Sequence, residues 1–163
     1  MPSPSPSTAA RVAAAGPLQA PHRAIQAITT SVLGLFADLR NFSASCEARP
    51  PEEAAVVLQA FFSTATRVVE AEGGVSEAFQ GDAILAVFGS PEPDELHATK
   101  AVRCALAMQE AMESINHARH SSALPTCELG IGVHTGDVLH GFIGAAESRE
   151  FTVVGATVNK ASR

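Results

Sequence analysis

The order of patterned segments predicts an α+β sandwich, ferredoxin-like in kind: a mainly antiparallel sheet with helices on one face. Three observations carry that expectation. Two long stretches with apolar stripes at helical spacing alternate with short apolar runs. The run from Val75 to Phe88 is broken once, at Gln80-Gly81-Asp82, as a hairpin is broken by its turn. The chain has 163 residues and is 46% hydrophobic, enough for one domain with its own core.

Residues 1–30 read as a leader. Met1 to about Pro21 is rich in Pro, Ser and Ala. Such a segment buries too little apolar surface to offset the entropy of ordering, so disorder or a linker is expected. The domain proper is expected over 31–163. Ser31 to Ala37 reads as a short buried strand. Pro50-Pro51-Glu52-Glu53 starts a helix, because Pro is tolerated in the first turn and acids suit the positive end of the helix dipole. Its apolar stripe reads as Val56, Val57, Ala60, Phe61, Thr64 and Val68, and Gly73-Gly74 stops it. Val75 to Phe79 and Ala83 to Phe88 are the arms of the hairpin.

Pro91 to Asp94 opens a second long helix, expected to run to about His117. Ala101, Cys104, Ala105, Met108, Ala111, Met112 and Ile115 form its inner face. Glu128 to His134 and Val138 to Ile143 read as two strands around a turn at Thr135-Gly136-Asp137. Phe151 to Val154 is the last strand, and Gly155 leads into a helix. There is no internal repeat.

Composition excludes several functions. The net charge of −6, with no basic stripe, argues against binding nucleic acid. No apolar run approaches the ~20 residues of a membrane span, and no secretion signal is visible. The three cysteines, Cys46, Cys104 and Cys127, are widely spaced and form no CxxC pair. They read as reduced thiols in a cytoplasmic setting, not as a disulfide frame or a zinc site.

Asp38 and Asp82 stand out against this background. Each lies beside an apolar run, where an unpaired carboxylate is costly. Two such residues at strand ends suggest one divalent-cation site. Asn159 and Arg163 stand four apart where a helix begins, and so share a face. Carboxylates for metal, with an amide and a guanidinium for developing negative charge, suit phosphoryl or nucleotidyl transfer. Gly130-Ile-Gly132-Val-His-Thr-Gly136 is not a dinucleotide fingerprint: its spacing is wrong and a strand follows it.

Four segments resemble the motifs of class III adenylate and guanylate cyclase catalytic domains, in that family's order. They are Phe36-Ala-Asp-Leu-Arg-Asn-Phe-Ser43, Phe79-Gln-Gly-Asp-Ala-Ile-Leu-Ala-Val-Phe-Gly89, Leu129-Gly-Ile-Gly-Val-His-Thr-Gly136 and Phe151-Thr-Val-Val-Gly-Ala-Thr-Val-Asn-Lys-Ala-Ser-Arg163. The resemblance implies cyclisation of ATP, or of GTP, with release of pyrophosphate, at sites shared across a homodimer. It implies Mg²⁺ or Mn²⁺, two per site, held by Asp38, Asp82 and the carbonyl of Leu39. It makes Asn41, Phe42 and Ser43 a phosphate-binding loop. Asn159 would orient the ribose, and Arg163 would stabilise charge at the transferring phosphorus.

The chain departs from the family pattern in two places. A purine-recognising Lys in the adenylate-forming members is Ala78 here, and the second purine position is Thr152, which leaves the choice of base open. Family domains also continue through a further helix and strands beyond the position of Arg163, so the domain is expected to be incomplete at its C-terminal end. A catalytically weak or inactive relative, acting as a dimerising or nucleotide-sensing module, is the alternative reading.

Overall fold

The computed structural model describes residues 26–40, 42, 50–145 and 148–163. The expected leader lies outside the described residues up to residue 25. Residues 26–30, however, belong to the first strand, β1 (Gln26–Arg40), which is twice as long as the strand expected at Ser31 to Ala37. There follow α1 (Pro51–Ala71), β2 (Val75–Gln80), β3 (Ala83–Phe88), α2 (His97–Ser121), β4 (Glu128–Ala145), β5 (Ser148–Val154) and α3 (Ala156–Ala161). The five strands form one sheet in the order β2-β3-β1-β4-β5, and every pairing is antiparallel. The sheet curls until its two edge strands, β2 and β5, come into contact.

The length of β1 explains the main departure from the sequence reading. No turn occurs at Thr135-Gly136-Asp137. Those residues pair with Leu33, Val32 and Ser31, so β4 is a single strand of 18 residues. A long neighbour offers backbone partners along the whole of β4, and a turn there would forfeit them.

Strand alternation sorts the side chains onto two faces. Leu35, Ala37 and Leu39 of β1, with Ile84, Ala86 and Phe88 of β3, are fully buried on one face. Phe61, Ala65 and Val69 of α1 and Ala101, Cys104, Met108 and Met112 of α2 cover that face and make the main core. Burial pushes the Cys104 thiol up to about 12, as expected of a core cysteine. The two long helices thus lie on one face, as expected, while the short α3 packs on the other.

The inner stripe of α1 differs from the expected one. Val56 is 68% exposed and Ala60 is exposed. Phe61 points inward and Val57 and Val68 pack against the core as expected, but the most buried positions beside Phe61 are Ala65 and Val69, which the expected stripe omits. The helix carries apolar residues almost all round its first three turns, so periodicity alone leaves the direction of the stripe loose. At its end, Gly73 adopts φ 78° and the Gly74 N–H donates to the carbonyl of Val69, as the paired glycines predict.

The second helix starts at His97, later than Pro91 to Asp94. The Asp94 carboxylate accepts from the Leu96 N–H at 2.9 Å and from Lys100 Nζ at 2.6 Å, closing a turn ahead of the helix. Helix α2 runs four residues past His117. Asn116 ties its last turns to the start of β4, donating to the Cys127 carbonyl at 2.7 Å and accepting from the Cys127 N–H at 2.9 Å.

Candidate active site

Asp38 lies near the end of β1, directly opposite Ala83 of β3 and Gly130 of β4. Asp82 sits in the two-residue turn before β3, where Gly81 takes the positive φ of 62°. The Asp82 carbonyl accepts the Leu39 N–H at 3.3 Å, which fastens the turn to the strand end. Both carboxylates are half-buried and lie within hydrogen-bonding reach of each other. Burial, and then the neighbouring Asp82 charge, hold the Asp38 carboxyl above its ordinary value. Two half-buried carboxylates that repel each other are a poor arrangement on their own and a good one around a cation.

Leu39 buries its side chain in the core, which holds its backbone at the same strand end. Asn41 and Ser43 lie outside the described residues. Between them, Phe42 is buried against the main core. The Arg40 guanidinium, a side chain to which the sequence reading gives no role, is a cation acting on Asp38. Its guanidinium lies across Gly130, where a side chain at 130 would collide with it.

Helix α3 is placed by glycines. A Cβ at Gly136 would collide with Thr157 Oγ1, and one at Gly132 with the Ala161 carbonyl, while at Gly34 the nearest atom is Ala161 Cβ at an ordinary 3.8 Å. Thr157 Oγ1 donates to the Asp137 carbonyl at 3.1 Å. The helix therefore lies directly on β4 and β1, running from Gly136 towards Gly132. Gly34 and Asp38 share strand parity, so α3 and the carboxylates occupy the same face. In the sequence these glycines suggest a turn at 136. The spacing of four between Gly132 and Gly136 places both on one face of a strand, and that is the signal for a helix seat.

Asn159 and Arg163 are both exposed. Asn159 is in α3, but Arg163 follows the C-cap, Ser162, and its N–H bonds the Lys160 carbonyl at 3.3 Å. The two are presented outward on the face that carries Asp38. Ala78 and Thr152 are half-buried on β2 and β5, the two edge strands that the curl brings together. Ala78 pairs with Leu85 just after a bulge, and Thr152 pairs with Gly141.

Residues 25–163 match the family described as the adenylate and guanylate cyclase catalytic domain. The chain is 39% identical over 132 residues to adenylate cyclase 1 of Rhizobium meliloti (strain 1021), covering 81% of this chain and 20% of that protein. It is 32% identical over 133 residues to an adenylate cyclase of Anabaena cylindrica, covering 79% of this chain and 26% of that protein. Among solved structures, the guanylyl cyclase Cya2 superposes with a TM-score of 0.79 at 35% identity, covering 83% of this chain and 69% of that one. The adenylyl cyclase CyaB from P. aeruginosa gives 0.80 at 25% identity, covering 85% and 72%. The chain thus spans about a fifth to a quarter of the length of these two curated relatives.

Proposed function

Because the chain belongs to the adenylate and guanylate cyclase catalytic domain family, we propose that it converts ATP to 3′,5′-cyclic AMP and pyrophosphate as a signalling enzyme. The observation that carries this reading is the meeting of Asp38 and Asp82 at one strand end. Their hard oxygen donors and mutual repulsion fit divalent cations, Mg²⁺ or Mn²⁺, two per site. Bound there, such cations supply a lowered pKa for the ribose 3′-hydroxyl and neutralise charge on the triphosphate.

In the reaction the 3′-oxygen attacks the α-phosphorus, its proton leaves, and the bond from that phosphorus to the pyrophosphate oxygen breaks. Asp38 and Asp82 hold the cations, with the Leu39 carbonyl beside them. Backbone N–H groups of Asn41, Phe42 and Ser43 cradle phosphate oxygens. Asn159 hydrogen-bonds the ribose and keeps the 3′-oxygen aligned. Arg163 meets the charge that develops on the phosphoryl oxygens. The outward presentation of Asn159 and Arg163 suits action on a second copy of the chain, in a homodimer with shared sites.

Ala78 and Thr152 flank the purine, so discrimination between ATP and GTP is shallow. The two relatives named adenylate cyclase support ATP as the main substrate. We place the domain in the cytoplasm, consistent with its free Cys104 and Cys127. Among the described residues no helix is long and apolar enough to cross a membrane. Ala78 also favours a second reading, a domain that binds nucleotide and dimerises without turnover. Incubation with ATP or GTP and Mn²⁺, with an assay for cyclic product, separates the two. Cyclic AMP supports the cyclase, and nucleotide binding without product supports the second reading.

A further inference from the structure

Three polar side chains are sealed on the concave side of the curled sheet: Glu77 in the β2 bulge, His140 on β4 and Ser90 just after β3. His140 is 2% exposed and Ser90 5%. His140 Nε2 lies 2.9 Å from Glu77 Oε1, with both side chains almost wholly buried. The approach is off the ring's donor direction, so the contact is a close polar approach rather than a linear hydrogen bond. On the other side of the ring, Nδ1 is hydrogen-bonded to the Ser90 hydroxyl. The surroundings are apolar, with Val87, Val138 and Val153 forming a small second core. Polar groups buried this deeply are costly to separate from one another, so the Ser90–His140 hydrogen bond and the close Glu77–His140 approach hold the three in place.

A Ser–His–Glu set invites comparison with hydrolases. Its burial rules that out, since no substrate reaches the Ser90 hydroxyl. The informative feature is which strands the trio joins. Strands β2 and β4 do not pair; β3 and β1 lie between them in the sheet. The Glu77–His140 contact spans the curl and ties them together. Ala78 follows Glu77 directly. His140 pairs with Val153, the neighbour of Thr152. The clasp is therefore one residue away from each position assigned to the purine, and it lies at the bulge between Ser76 and Ala78 that sets where Ala78 sits.

The geometry points to Glu77, His140 and Ser90 as positioning residues for the purine subsite: they fix the separation of Ala78 and Thr152 and so the fit of the base. This inference rests on the proposed cyclase reading. With no Lys at 78 to grip the base, its hold depends on the shape of the gap between two strands, and the trio sets that gap.

The test measures turnover of ATP and GTP with Mn²⁺, alongside binding of the fluorescent analogues mant-ATP and mant-GTP, for the full chain. Variants are Glu77→Gln, His140→Val and the double substitution Glu77→Leu with His140→Val, which replaces the contacting pair by apolar side chains suited to the surrounding valines. For correctly folded variants, the nucleotide KM and the analogue Kd are expected to rise about tenfold with kcat held within about twofold, the pattern of lost uniform binding. The ratio of kcat/KM for ATP to that for GTP should also move. A purely structural role predicts the opposite split: a smaller active fraction lowers kcat and leaves KM and Kd alone. That split, or a double variant with wild-type KM, Kd and base ratio, overturns the inference and spares the cyclase reading. Wild-type protein that neither binds the analogues nor forms cyclic product overturns both. If His140→Val does not fold, the near-isosteric Glu77→Gln decides alone.

Discussion

The seating of α3 on two glycines makes the sharpest prediction about activity. Gly132 and Gly34 lie beneath the same end of that helix, yet they tolerate a methyl group differently. At Gly34 a Cβ would find Ala161 Cβ at 3.8 Å and the His134 carbonyl oxygen at 4.0 Å, which is ordinary contact. At Gly132 it would strike the Ala161 carbonyl oxygen and come within 3.1 Å of the carbonyl carbon. That obstacle is backbone and cannot swing aside. The helix end must retreat by about 1–1.5 Å, carrying Asn159 and Arg163 with it. Overpacking of this kind costs about 1–3 kcal/mol, or roughly 2–12 °C in Tm for a domain of this size. A misplacement of about 1 Å in a positioning group can lower turnover roughly 100-fold. Gly132→Ala should therefore lose activity far beyond its loss of stability, while Gly34→Ala stays close to wild type in both. Thermal unfolding by circular dichroism and a cyclic-nucleotide assay on both variants provide the measurement. If Gly132→Ala keeps both wild-type Tm and wild-type turnover, α3 does not rest on β4 as described.

Three further outcomes follow from the site. Asp38→Asn should abolish metal-dependent turnover yet leave the metal-free fold as stable or more so at neutral pH. The folded state holds the Asp38 proton more tightly than the unfolded chain does, so ionising it costs stability as the pH rises above 3.8, and Asn removes that cost. A Tm at pH 7 well below wild type, measured without metal, would contradict this. Mixing Asp38→Ala chains with Arg163→Ala chains should restore turnover that neither has alone, because each heterodimer assembles one intact shared site. Absence of recovery in heterodimers shown to form would refute sharing. Ala78→Lys should raise kcat/KM for ATP by roughly 10-fold through a charge-assisted hydrogen bond to the adenine ring, with GTP little changed. An unchanged ratio of the two would mean that another residue reads the base.

Local chemistry makes much of this molecule legible in its sequence. The prolines and acids at 50–53 mark the start of α1, the glycines at 73–74 its end, and Gly81 the hairpin turn. Each of these signals depends on a residue's own backbone preference or charge, so the sequence displays it directly. The four motif segments likewise point to Asp38 and Asp82 as a pair. Other features depend on partners distant in the chain. Gly136 reads equally well as a turn or as a point of close approach, and only the 15-residue length of β1 decides for the latter. The inner face of α1 is settled by what it packs against, because its apolar residues nearly encircle it. Glu77, Ser90 and His140 lie at least 13 residues apart along the chain, and nothing in their flanking residues links them. Their meeting is a product of the curl of the sheet, which brings its edges together. Curl is a cumulative property of strand twist and packing, and no single residue encodes it.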